Sequence, residues 1–339
     1  MKTQKESTSR PTPGYQMPDL DRYLGEPLIP GISPKARARY VNIMYDTAFK
    51  LVFGSVANKS LLIDLLEALI PGKKIADVSF HDKEIPGYFV GDKKTVFDLY
   101  CTTERQETFI VEMQLHGQSF FTDRVLFYST YPLREQIVTP LEEERIRRMR
   151  EAGDEGWQDK VPKRNYRLSP VYMVSILNFT LPHTSPGNLR EGLVSSYSVR
   201  SDRGSGEQMT DALHFVFLEL PRLKVDKDHP EMCLTTLEKI AFAFRHISFL
   251  QERPESFSGE FFEHLFHASE LAGMSLDERN QYDKDMTTEI DKIAQLDYAM
   301  EQGRKKAILE IARKMLADGM DISLVVKYSG LTPEEIEEP

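Results

Sequence analysis

Two short stretches of the chain carry carboxylates at a spacing that could do chemistry. TVFDLYCTT at 95–103 and ETFIVEMQLH at 107–116 read as the two arms of a β-hairpin joined by a short polar connection. Side chains alternate along a strand, so Ile110, Glu112, Gln114 and His116 share one face of the second arm, and Phe109, Val111, Met113 and Leu115 share the other. In the first arm Asp98 lies on the face of Val96 and Tyr100, opposite Phe97, Leu99 and Cys101. A turn centred on Arg105 makes Asp98 and Glu112 direct antiparallel partners, and a slip of one residue would move the partner to the other face. Opposed residues have Cβ atoms ~4.5–5.5 Å apart, where two like charges destabilise a sheet unless something offsets them. Either this polar face is simply solvated, or a divalent cation provides the offset. Two hard carboxylate ligands, with the backbone carbonyl of Met113 beside them, suit Mg2+, with Mn2+ as the alternative, rather than zinc. Such a cation activates water and stabilises charge on a phosphodiester.

The elements that must position this hairpin are legible from periodicity. Tyr45, Ala48, Phe49, Val52 and Phe53 recur at helical spacing and stop at Gly54, and Leu61 to Ile70 form a second helix stopped by Pro71-Gly72. IADVSF at 75–80 reads as a strand. Residues 118–137 read as a helix that Pro132 should bend or end early. VYMVSILNF at 171–179 and LHFVFLEL at 213–220 are hydrophobic enough to be strands covered on both faces, and 183–210 reads as a surface excursion between them. Everything after residue 230 reads as helix, including 237–250 and 304–319. The order implies an α/β core with an α-helical C-terminal subdomain. The expected divisions are a flexible arm over 1–38, a core over 39–225 with a charge-rich insertion at about 141–165, and an acidic helical subdomain over 226–339.

The chain has 339 residues, 43 Lys plus Arg and 53 Asp plus Glu, a formal charge of −10 that disfavours indiscriminate nucleic-acid binding by the whole surface. Residues 251–339 hold 20 acids and 10 bases, so the remaining 33 of each leave residues 1–250 neutral. No stretch approaches the ~18–20 apolar residues of a membrane span, and the polar start lacks the apolar core of a secretory signal, so a cytoplasmic chain with no membrane partner is expected. Two cysteines, Cys101 and Cys233, exclude a disulfide framework and read as reduced thiols, Cys101 as a small core residue.

YDTAFKLVFGSVANKSLLIDLLEALI, FDLYCTT and FIVEMQLHGQSFFTDRVLFYST together resemble the PD-(D/E)XK nuclease family transposases, also described as recombination-promoting nucleases. LSPVYMVSILNFTL and LHFVFLELPRL extend the likeness, which covers roughly residues 40–330 outside the insertion. The resemblance implies a restriction-endonuclease-like fold, a mixed central sheet flanked by helices, with Asp98 on one strand and the pair Glu112 and Gln114 on the next. It implies a Mg2+-dependent endonuclease acting on DNA, tied to recombination or mobile-element movement. Gln114 stands where the superfamily name has lysine; an amide orients water by hydrogen bonding but brings no charge.

Asp46 and Lys50, four apart on the first helix, read on spacing as an i,i+4 ion pair worth ~0.2–0.5 kcal/mol. The resemblance instead places Asp46 near the metal site. Arg124 matches an arginine of the family that would contact the scissile phosphate or hold Glu112 in place, and otherwise reads as a solvated helix cation. Lys50, Arg124 and His116 are thus the DNA-contact candidates, while Lys93 and Lys94 read mainly as solvated. The ending IARKMLADGMDISLVVKYSGLTPEEIEE is similar to a helix-turn-helix, with Thr332 and Glu335 as a capping box and Pro333 at the first helical position. Residues 322–339 hold one lysine against four glutamates, so this piece reads as packing or homo-oligomer assembly rather than base reading. The alternative to a nuclease is a catalytically silent scaffold of the same fold that binds DNA or a protein.

Overall fold

The computed structural model describes residues 38–81, 84–85, 95–137, 147–153, 167–181 and 192–337. The arm before residue 38, Lys93, Lys94 and most of the 141–165 insertion lie outside the described residues, although 147–151 are helical.

The chain enters through α1 (Asp46–Phe53) and α2 (Lys59–Leu69). Asp46 in the first turn of α1 complements the helix dipole, and Ala48, Phe49, Val52 and Phe53 form its buried stripe. Leu61, Leu62, Leu65, Leu66 and Leu69 do the same for α2. Each such Leu or Phe, fully buried, contributes about 1.5–3 kcal/mol. Gly54 ends α1 because nothing larger fits: a Cβ there would lie 2.5 Å from Leu99 Cδ2 and 2.7 Å from the Lys50 carbonyl. This close approach seats α1 against the strand that begins beside Asp98.

Then come β1 (Val78–Phe80), β2 (Glu84–Ile85), β3 (Thr95–Val96), β4 (Leu99–Thr103), β5 (Thr108–Gln114), α3 (Phe121–Glu135), β6 (Val171–Leu177), β7 (Val194–Ser198) and β8 (Leu213–Glu219). A six-stranded mixed sheet has the order β1-β4-β5-β6-β8-β7; β2 and β3 pair separately. β1, β4 and β5 are antiparallel, β5, β6 and β8 run parallel, and β7 returns antiparallel beside β8. The parallel step from β5 to β6 requires a crossover, and α3 lies on that connection. β6 is buried at every position, as a central strand covered on both faces must be. On one side of the sheet, Phe121, Val125 and Tyr131 of α3 pack with Phe97, Ile110, Met173 and Phe217.

Beyond the sheet lie α4 (Thr236–His246), α5 (Glu260–Ala268) and α6 (Leu276–Ala317). Thr235 and Glu238 close a capping box at the start of α4. Phe244 of α4 stacks on Phe53 of α1 with centroids 5.6 Å apart. α4 and α5 therefore belong with the sheet, and the compact unit extends to Tyr282, past the sequence-based boundary at residue 225. From Asp283 onward the chain belongs to a second unit. There α6, α7 (Ile322–Ser329) and α8 (Pro333–Glu337) close a small core of Ala312, Val325 and Ile336. The expected capping box is present: Thr332 N–H donates to Glu335 at 2.8 Å and Glu335 N–H to Thr332 Oγ1 at 3.3 Å.

Four local expectations are corrected. The run 95–103 is not one strand, because the chain bends at Phe97-Asp98 and β3 joins a different sheet from β4. The bend breaks the alternation, so Phe97 falls on the α3 side, 6.0 Å from the Tyr100 ring rather than opposite it. Pro132 does not end its helix: it is buried inside α3, which continues to Glu135. The supposed excursion at 183–210 contains β7, whose serine-rich sequence hides a strand that pairs with β8 over five residues.

Candidate active site

β4 and β5 pair Leu99 with Val111, Tyr100 with Ile110 and Cys101 with Phe109. The paired register ends at Leu99 with Val111; Asp98, in the bend just before it, is brought beside Glu112 by that bend rather than by strand alternation. The face is not solvated, however. Glu112 is only 7% exposed, and β5 is buried continuously from Thr108 through Glu112.

Asp98 sits in the bend just before β4, where its side chain turns to accept the backbone N–H of Met113 at 2.8 Å. A residue in a strand directs its N–H and C=O to the same edge. The Met113 carbonyl therefore points toward Asp98, while the Gln114 carbonyl faces the other way and accepts Asn178 N–H at 2.9 Å. In return, the Asp98 backbone N–H favours the charged form of Glu112. Each carboxylate is thus steadied by the other's strand.

Electrostatically the pair is unfavourable alone. Burial, then the neighbouring Asp46 charge, push the Asp98 carboxyl above the ordinary range, against the Met113 N–H and Lys50, which pull it down. Burial and the Asp98 charge raise Glu112, against Arg124, the Asp98 N–H and Lys50. Glu112 Oε1 is buried with no hydrogen-bond donor. A buried carboxylate oxygen without a donor is costly, and a cation is the ligand that its lone pairs lack.

Among the described residues no group of three or more His, Cys, Asp and Glu side chains is arranged to hold a metal ion. The fit for a hard cation rests on fewer groups: the orphaned Glu112 oxygen, the Asp98 carboxylate and the Met113 carbonyl, all oxygen donors.

Around this pair the structure gathers most of the expected residues. Asp46 is close enough to Asp98 that its charge helps raise the Asp98 carboxyl, which spacing along one helix could not foretell. The expected ion pair is also present, with Lys50 Nζ 2.5 Å from Asp46 Oδ1 and 2.6 Å from Oδ2. Gln114 Nε2 donates to Glu112 Oε2 at 3.2 Å, and Gln114 Oε1 accepts Arg124 Nη2 at 2.8 Å. Arg124 therefore holds Glu112 through the glutamine amide rather than by direct contact. Its other fork donates to Gln118, a residue that sequence reasoning passed over because it lies in a loop with no periodicity. Phe121 and Tyr128 flank the guanidinium at 5.6 and 5.7 Å from their ring centroids. His116 lies in the bend after β5. Cys101 is buried, and burial pushes its thiol up to about 12, which fits a core residue and not a nucleophile.

No curated protein and no solved structure matches the chain. Family models do match: PD-(D/E)XK nuclease family transposase over residues 43–299, and the C-terminal HTH domain of the Rpn/YhgA-like nuclease family over 305–338. The first match takes in α1, the six-stranded sheet and α3, every element that supplies the carboxylate pair and its supports, and covers about three quarters of the 339 residues. With a mixed sheet flanked by helices, this chain belongs to the PD-(D/E)XK nuclease family transposases and has their restriction-endonuclease-like fold.

Proposed function

We propose that the protein is a Mg2+-dependent endonuclease that hydrolyses DNA phosphodiester bonds in recombination or mobile-element movement. The observation that carries this reading is the neighbouring pair Asp98 and Glu112, Asp98 held by the Met113 N–H and Glu112 Oε1 buried and without a donor. Asp98, Glu112 and the Met113 carbonyl would hold the cation. When bound, Mg2+ supplies an acidified water and neutralises charge developing on the phosphate, with Mn2+ an acceptable substitute.

The protein's own groups do the rest. Gln114 and Arg124 hold the Glu112 carboxylate in one orientation, and Asp46 with Lys50 brackets Asp98 from α1. In the reaction a new P–O bond forms to the water oxygen and one ester P–O bond breaks. One water proton ends on the departing hydroxyl and the other leaves to solvent from the new phosphate. Lys50, Arg124 and His116 are the proposed DNA contacts.

The HTH segment at 305–338 is a second DNA or assembly element. Its α7 and α8 carry Lys327 against Glu334, Glu335 and Glu337, which favours pairing with another copy of the chain over reading bases. Two buried free thiols suit a reducing, cytoplasmic setting. Among the described residues no helix is long and apolar enough to cross a membrane.

The test is nicking of a supercoiled plasmid with Mg2+ against EDTA, for the natural chain, Asp98→Ala and Glu112→Ala. Undiminished cutting by both variants would sink the reading. Binding without cutting by the natural chain would favour the silent scaffold that the uncharged Gln114 leaves open.

A further inference from the structure

The loop from β5 to α3 ends at Phe120, whose carbonyl accepts the Arg124 backbone N–H at 2.9 Å. Phe120 has φ 60° and ψ 28°, the left-handed region in which an L side chain crowds the following carbonyl. Among the described residues other than glycine, only Gln106 shares such a φ, and it lies in the connection between β4 and β5, where hairpins commonly need one. The glycine of the Phe120 loop, Gly117, does not take a positive φ. Burial does not offset the strain either, because Phe120 is 78% exposed. A bulky apolar ring therefore stands in solvent on a strained backbone, and neither packing nor backbone preference calls for it. Its place is four residues before Arg124, whose guanidinium donates to Gln114 and Gln118 and reaches Glu112 through Gln114.

We infer that Phe120 stacks on a nucleobase next to the scissile phosphate, so that the substrate strand is unpaired there, as in single-stranded, gapped or unwound DNA. The inference rests on the nuclease reading above, which sets the phosphate at Asp98 and Glu112. In a continuous duplex each base is covered on both faces by its neighbours, and a side-chain ring meets a face only where that stack is broken. The charge balance agrees. With 33 acids and 33 bases, residues 1–250 offer no net positive field to grip a duplex backbone, whereas stacking needs none.

The experiment uses fluorescence anisotropy in Ca2+ to read binding of one oligonucleotide, as a single strand and as an intact duplex. It compares the natural chain with Phe120→Ala, Phe120→Leu, Phe120→Trp and Phe120→Gly, and repeats the single strand with one abasic nucleotide walked along it. The natural chain should bind the single strand more tightly than the duplex. Phe120→Ala should weaken single-strand binding about 5–150-fold, the scale of one base stacked on a ring, and leave duplex binding within about twofold. Phe120→Trp should keep the affinity, and Phe120→Leu, apolar but without a ring, should not. Phe120→Gly relieves the backbone, so it should melt no lower than the natural chain and still bind like Phe120→Ala. At one position the abasic nucleotide should weaken the natural chain by a similar factor and Phe120→Ala hardly at all, because both changes remove the same contact. Unchanged single-strand binding in Phe120→Ala, an equal loss on duplex, full binding by Phe120→Leu, or additive losses at every abasic position would each overturn the assignment. If the natural chain stacks a base in this way but cuts none of these DNAs in Mg2+, the nuclease reading falls and the stacking stands. If it cuts, and Phe120→Ala binds and cuts single strands equally well, only the stacking falls.

Discussion

Asp98 Oδ2 accepts the backbone N–H of Met113 at 2.8 Å, so the first carboxylate of the candidate site is held by the strand that carries the second. Because the donor is backbone, the arrangement survives side-chain changes at 113, and its weak point is the charge on the two acids. Glu112→Gln keeps shape and still offers an oxygen to Gln114, while removing a buried charge whose Oε1 has no donor. The variant should lose cleavage and gain roughly 0.5–2 kcal/mol of stability at neutral pH, the usual trade at a functional site. Urea denaturation of the cation-free protein checks the second half, and a destabilised Glu112→Gln would contradict it.

Stability should also depend on pH with a definite sign. Burial raises both carboxyls in the folded protein above their ordinary values of about 3.9 and 4.3, so between those values and the raised ones the folded state binds more protons than the unfolded state. Stability of the cation-free chain therefore falls as pH rises through that window and levels off above it. Mg2+ binds the deprotonated pair, so its stabilising effect should grow as pH rises. Melting curves with EDTA and with Mg2+ across pH 4–9 would expose the divergence, and parallel curves would count against a cation at this pair.

Arg124 acts on Glu112 through Gln114, which makes its geometry matter more than its charge. Arg124→Lys keeps the charge but cannot donate in a fork to Gln114 and Gln118. It should lower kcat by about 10–100-fold, the scale on which supporting residues act. Arg124→Lys cutting as fast as the natural chain would reduce Arg124 to a simple cation.

Gly54→Ala tests how α1 is seated. The added Cβ would meet Leu99 Cδ2 at 2.5 Å and the Lys50 carbonyl at 2.7 Å, and overpacking of this kind costs about 1–3 kcal/mol. Since α1 carries Asp46 and Lys50, cleavage should fall beyond what the loss of folded protein explains. Activity per folded molecule, taken from melting-corrected assays, separates the two effects.

DNA binding should need the cation and weaken with salt. Residues 1–250 carry 33 acids and 33 bases, so no net positive field draws the phosphate backbone until a divalent ion offsets the carboxylate pair. Fluorescence anisotropy with Ca2+ in place of Mg2+, at rising salt, checks this; binding of equal strength in EDTA would argue for a basic surface elsewhere.

The amino-acid sequence alone determined the hairpin and its register. β4 and β5 are joined by a few residues, so alternation and a short turn leave little freedom, and the observed partners Leu99 with Val111 and Cys101 with Phe109 follow, whereas the bend that holds Asp98 against Met113 was not legible. The two N-terminal helices, the buried strands β6 and β8, and the capping box at Thr332 were equally local and equally readable. Tertiary structure decided the rest. The polar face is buried because helices cover the sheet on its far-separated segments, and no periodicity in β5 records that. Asp46 reaches Asp98 only because Gly54 lets α1 close on Leu99, and Arg124 finds Gln114 only when α3 folds back across the sheet. Strand pairing across a short turn is set by neighbours in the chain, whereas the docking of a helix depends on shape and burial summed over distant residues. The carboxylate pair was written in the sequence, and the cations that surround it were placed by packing.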